Sequence, residues 1–113
     1  MRLTTLERDF LGDLAQDDHA LWELFAFVRA QHANSGEDEV FRIGRDLLSG
    51  WIAREWLSVA PASSDAITIR DIADLLPFVD RLGVNATRPF PGCPWLRLSS
   101  KAENEIDESS AAG

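Results

Sequence analysis

A mainly helical α+β fold is predicted for this chain, and three observations lead to that prediction. Apolar residues recur at the three- and four-residue spacing of a buried helix face in several separate stretches. Two short segments, 56–59 and 95–98, carry the aromatic and branched side chains typical of strands. The 113 residues, 45% of them hydrophobic and 27% charged, suit one globular domain at residues 1–108, followed by a disordered tail at 109–113.

The first two helices are predicted from their N-terminal signals. Thr4 and Glu7 have the spacing of a capping box, in which each side chain accepts a hydrogen bond from the other residue's backbone, so a helix is expected over about 5–15. Asp17-Asp18 places negative charge where a second helix would begin, and this helix is expected to end near 30–32. An apolar stripe of four residues gives it a buried face: Leu21, Leu24, Phe25 and Val28.

A third helix and a strand follow. Ser35-Gly36 and the acidic residues of 37–39 predict a helix start, and the apolar periodicity continues until it breaks near Arg54-Glu55. Trp56, Leu57 and Val59 then favour a short strand, and 61–64 is predicted to be a loop.

The second half of the chain is predicted to hold one helix, a long loop, a strand and a final helix. Thr68 is expected to cap the fourth helix, which Pro77 should stop or bend because proline lacks an N–H donor. Glycines and prolines make 83–94 the longest predicted loop. After the second strand, Ser100 and Glu103 have the spacing of another capping box and predict a short acidic helix.

Three helices, a strand, and a later strand that runs into a C-terminal helix follow the order of a winged-helix domain, in which the two strands form a short hairpin, the wing. The segment Leu98–Glu103 resembles the junction that closes the wing in many bacterial winged-helix proteins. Ser99 and Lys101 match the threonine and lysine of that junction, whereas Ala102 replaces its glycine. The resemblance implies a winged-helix-like single domain.

A longer resemblance concerns a group of small acidic bacterial proteins. Asp18–Leu24, the acidic start at 37–39 and Gly44–Ile52 are similar to winged-helix-like proteins of uncharacterised type, and the likeness extends over most of residues 3–108. Some similar proteins are encoded beside secreted toxins and look like their immunity proteins. The resemblance therefore implies a protein that binds and neutralises a toxin.

The charge of the chain argues against the DNA-binding role that winged helices often have. Its formal net charge is −8, whereas affinity for nucleic acid comes mainly from Lys and Arg that neutralise phosphates. In and just after the predicted third helix, acidic residues outnumber arginines by five to three: Glu37, Asp38, Glu39, Asp46 and Glu55 against Arg42, Arg45 and Arg54. If the chain were nonetheless a DNA-binding transcriptional regulator, its contacts would come from Arg42, Arg45, Arg97 and Lys101.

The sequence offers no clear set of residues for catalysis or metal binding. Cys93, His19 and His32 are the candidates for a nucleophile and a base, and nothing in the sequence brings them together. Asp17-Asp18-His19 holds three possible metal ligands, but neighbours at a helix start point in different directions. We therefore expect no enzymatic activity, no metal and no cofactor.

Protein binding is the function that the sequence favours. An acidic strip on and around the fourth helix, with two aromatic residues in and after the long loop, predicts a contact surface for a basic partner: Asp65, Asp71, Asp74, Asp80, Phe90 and Trp95. A nucleic-acid mimic that occupies another protein's DNA groove is an alternative. The chain lacks a signal-peptide pattern and any apolar run near the ~18 residues of a membrane helix, so we expect a cytoplasmic monomer or homodimer.

Overall fold

The computed structural model describes residues 3–60, Ile69 and residues 71–112, with the side chains placed as far as Ile106. In chain order the elements are α1 (Thr5–Gln16), β1 (His19–Ala20), α2 (Leu21–Gln31), α3 (Glu37–Ala53), β2 (Leu57–Val59), a 3₁₀ turn (Ile72–Asp74), α4 (Leu75–Leu82), a second 3₁₀ turn (Gly83–Thr87), β3 (Trp95–Leu98) and α5 (Ser100–Ala112). The predicted α+β class, mainly helical, is confirmed. No helix within these described ranges is both long and apolar enough to cross a membrane.

The three strands form one antiparallel sheet in the order β1-β3-β2. His19 pairs with Leu96 on one side of β3, and Ser58 pairs with Arg97 on the other. The two predicted strands therefore pair with each other, although α4 and both 3₁₀ turns lie between them in the chain. The strand β1 was not predicted, because two residues give no alternating pattern to read.

The core lies between the helices and the inner face of the sheet. Phe10 of α1 stacks on Trp51 of α3 with ring centroids 5.7 Å apart and planes within 4°. The indole N–H of Trp51 donates to Glu7 at 2.9 Å, and Glu7 also completes the predicted capping box with Thr4. Leu96 supplies a fully buried side chain from the central strand. One carboxylate therefore both caps α1 and links it to α3.

The predicted start of the second helix is wrong. Asp18 precedes β1, His19 lies in that strand instead of a first helical turn, and α2 begins at Leu21. The helix is capped from within, because Glu23 accepts a hydrogen bond from the backbone N–H of Ala20 at 2.6 Å. Pairing of His19 and Ala20 with the distant strand β3 fixes these residues in an extended conformation, which local sequence signals do not reveal.

Two further predictions of helix ends need correction. Pro77 does not stop or bend the fourth helix, because α4 starts at Leu75 and the proline lies in its first turn, where a backbone N–H has no helical acceptor. The N-cap of α5 is Ser99, whose hydroxyl accepts from the N–H of Ala102 at 3.1 Å. The predicted cap at Thr68 lies outside the described residues.

Candidate interaction surface

The outer face of the sheet carries the one large hydrophobic side chain that is exposed in the described part of the chain. Trp95 is 45% exposed, whereas its neighbour Leu96 points into the core. The register places Ala20 of β1 opposite Trp95, and the N–H of Ala60 donates to the Trp95 carbonyl from the other side. Because alanine side chains end at Cβ, the indole rises above both of its cross-strand neighbours.

An ion pair lies on the next row of the same face. Arg97 donates two hydrogen bonds to Asp18, from Nε to Oδ1 at 3.1 Å and from Nη2 to Oδ2 at 2.9 Å. These hydrogen bonds from Arg97 lower the pKa of the Asp18 carboxyl below its ordinary value. The guanidinium is thereby held beside Asp18, and Arg97 lies two residues from Trp95 along the strand.

A groove of about 310 Å³ adjoins this ion pair, between the end of α1, the end of β3 and the start of α5. Its charged lining consists of three carboxylates and one guanidinium, from Asp17, Asp18, Glu103 and Arg97. Acids therefore outnumber bases in the groove, which favours a cationic side chain as its occupant.

The acidic strip predicted on the fourth helix is largely engaged within the protein. Asp80 accepts two hydrogen bonds from Arg45, at 3.0 and 3.2 Å, and these lower the pKa of its carboxyl. Asp71 accepts a hydrogen bond from the N–H of Ala73 and so caps the 3₁₀ turn. Asp74 is exposed, and Asp65 lies outside the described residues.

The two predicted aromatic anchors differ in exposure. Phe90 is half-buried and packs against Phe78 with ring centroids 6.1 Å apart. Both rings lie at the edge of the hydrophobic core. Trp95 is exposed and remains the better anchor of the two.

Each of the four predicted DNA-contacting cations is paired with a carboxylate. The pairs are Arg42 with Glu39 at 2.5 Å, Arg45 with Asp80 at 3.0 Å, Arg97 with Asp18 at 2.9 Å, and Lys101 with Glu55 at 3.0 Å. The four cations do not form a basic face, because an acid stands beside every one of them. A phosphate backbone would have to displace these acids or lie against them.

The candidate nucleophile and bases have separate surroundings. Burial raises the pKa of the Cys93 thiol, which disfavours the reactive thiolate at neutral pH. His19 is half-buried with its Nδ1 3.3 Å from Glu23, and His32 is exposed at the end of α2. Among the described residues, no group of three or more His, Cys, Asp and Glu side chains is arranged to hold a metal ion.

Sequence reasoning did not identify Asp17, Asp18 and Glu103 as the acidic lining of one groove. Their separation along the chain hides the groove, which forms only where α1, β3 and α5 meet. One available signal was the alternation Trp-Leu-Arg-Leu in 95–98, which places Trp95 and Arg97 on one face of a strand.

Comparison of the chain with protein-family models, with curated proteins and with solved structures finds no match.

Proposed function

We propose that this chain is a winged-helix-like domain that binds a basic protein partner and has no catalytic chemistry of its own. The observation that carries the proposal is the pairing of all four candidate DNA-contacting cations with carboxylates, in a chain of net charge −8. A surface built in this way repels phosphates and attracts cationic proteins.

The winged-helix part of the proposal draws support from the order of the elements. A strand lies between the first two helices, and this strand joins the pair formed by β2 and β3. In a DNA-binding winged helix the helix before the paired strands enters the major groove. Here that helix is α3, and its acids Glu37, Asp38 and Glu39 stand at its N-terminal end, the part that a DNA reader inserts between two negatively charged phosphate backbones to reach the base edges.

The specific form of the proposal is an immunity-type protein that neutralises a cognate toxin. Binding would act by steric and electrostatic blockage of the toxin, since opposite charge accelerates the encounter of the two proteins and aromatic anchors stabilise the complex. The exposed indole of Trp95 supports this form of the proposal, because tryptophan is highly buried on average and is enriched among the anchor residues of interfaces.

The direct test is complex formation with the purified products of the genes beside the one that encodes this chain. We expect a stable complex by size-exclusion chromatography, with an association rate that falls as salt is added. A DNA duplex carrying the chain's own promoter serves as the comparison in a gel shift at low salt. Binding of the duplex together with failure of every neighbouring product would refute the proposal and support a transcriptional regulator.

A further inference from the structure

We infer that the outer sheet face around Trp95, together with the adjoining acidic groove, is the surface that receives the basic partner. In this assignment, which rests on the proposed function, the indole packs against an apolar side chain of the partner. An arginine or lysine of the same partner enters the groove beside Asp17, Asp18 and Glu103.

The indole is suited to this role by its setting in the sheet. Tryptophan contributes large contact area with few rotatable bonds, and it is enriched among the residues that dominate binding energy. Ala20 and Ala60 flank Trp95 on the neighbouring strands and are themselves buried. Of these three residues, Trp95 alone is exposed. A partner that covers Trp95 therefore removes apolar area from water, and neither Ala20 nor Ala60 stands above the sheet in its way.

The groove determines the charge of the partner. Arg97 neutralises the charge of Asp18 through two hydrogen bonds from its guanidinium, which leaves Asp17 and Glu103 to meet an incoming cation. The Asp17 carboxylate accepts one hydrogen bond from the N–H of Asp18 at 2.9 Å, which fixes it in place. The net charge of −8 over the whole chain extends this preference to the approach of the partner.

The acidic strip of α4 fits the same partner less well. Asp80 is held by Arg45, and Asp71 is held by its bond to the N–H of Ala73. Among the described residues of the strip, this leaves Asp74 to meet a partner. The strip also lacks an exposed large hydrophobic side chain comparable with Trp95 within the described residues.

The experiment titrates the ¹⁵N-labelled chain with a short capped peptide of alternating leucine and arginine, and with a matched peptide of leucine and glutamate. We expect chemical-shift changes at the Trp95 indole N–H and around Asp18 and Glu103 with the basic peptide alone. Trp95→Thr should weaken binding about tenfold or more, the loss typical of an anchor residue, and Glu103→Gln should weaken it by a smaller factor.

Asp74→Asn is the matched control, because it removes the same charge from the competing surface of α4 and should leave binding unchanged. The inference is overturned if the basic peptide does not bind, if its shifts centre on α4 or spread over the whole acidic surface, or if Trp95→Thr binds as tightly as the parent chain.

The same variants separate this inference from the proposed function. A complex with a neighbouring gene product that forms with undiminished affinity in Trp95→Thr would make the assigned surface wrong and leave the proposed function standing. Specific binding of the basic peptide at Trp95, with no complex for any neighbouring product, would keep the surface and refute the immunity-type function.

Discussion

The absence of a Cβ atom at Gly44 allows helices α2 and α3 to pack closely. A Cβ atom at this position of α3 would lie 2.5 Å from the Phe25 ring of α2, and Phe25 in turn stacks on Phe41. We expect Gly44→Ala to lower the free energy of unfolding by about 1–3 kcal/mol, the usual cost of overpacking a core. Urea denaturation measures this change.

Gly12→Ala is the control for that substitution. Gly12 lies inside α1, and a Cβ atom there meets nothing within 4 Å. Alanine is the better helix former, so this variant should gain about 0.5–1 kcal/mol. Equal effects of the two substitutions would show that helix propensity, and not contact with Phe25, determines the outcome at Gly44.

Glu55 occupies a backbone position that normally belongs to glycine. Its φ of 61° follows the end of α3, where the N–H of Trp56 donates to the Trp51 carbonyl and the N–H of Glu55 to that of Ile52. This pair of bonds is the Schellman motif, whose left-handed residue carries a steric penalty of about 1 kcal/mol when it is not glycine.

We therefore expect Glu55→Gly to stabilise the protein by up to about 1 kcal/mol, despite the loss of the exposed ion pair with Lys101. Thermal and urea denaturation measure the gain. Arg54→Gly is the control, because Arg54 has a right-handed φ of −85°, so glycine there adds flexibility and removes the guanidinium from the Trp56 ring without relieving any steric penalty. A stabilising Arg54→Gly would contradict the explanation.

At the level of elements, α5 is attached to the domain by a half-buried hydrogen bond, by the exposed Lys101–Glu55 ion pair and by apolar packing. The indole N–H of Trp56 donates to Glu105 at 2.5 Å, and Ala102 is fully buried in the core. Trp56 is itself covered on one side by the Arg54 guanidinium, 5.2 Å from the ring centroid. The helix is therefore held at the end of the sheet opposite to Trp95.

Trp56→Phe should destabilise the protein by about 1–2 kcal/mol, because it keeps a buried ring and leaves Glu105 without its indole donor. The double-mutant cycle with Glu105→Gln isolates the hydrogen bond from changes in packing. A coupling energy near zero, measured by urea denaturation of the four proteins, would show that the contact contributes nothing to the attachment of α5.

The elements also show which parts of the fold can be predicted from sequence. The capping box of α1 and the apolar periodicity of α2 and α3 were predictable because the residues that form them are close neighbours in the chain. The strand β1 depends on pairing with β3 far along the chain, and no local pattern marks it. Trp95 was identified by residue type, whereas the groove beside Asp18 and Arg97 requires three elements to meet.

At the scale of the whole molecule, two electrostatic effects oppose each other as the pH falls. Self-repulsion from the net charge of −8 weakens the compact state at pH 7, and it diminishes as the pH approaches the isoelectric point near 4.6. The ion pairs act in the other direction at lower pH. Arginine hydrogen bonds lower the pKa of Asp18 and of Asp80 in the folded protein, relative to about 4 in an unfolded chain.

A carboxyl whose folded pKa is depressed contributes stability that is complete above its unfolded pKa and is lost as the pH falls through its folded pKa. We therefore expect the urea midpoint to increase as the pH is lowered from 7 to about 5, because repulsion declines. Below about pH 4 the midpoint should decrease, because the carboxylates of the unfolded state are protonated before those of the folded state. The variant Asp18→Asn lacks one of these groups, so the stability difference from the parent chain should shrink as the pH drops below 4. A difference that stays constant between pH 7 and pH 3 would show that the Asp18–Arg97 pair contributes no pH-dependent stability.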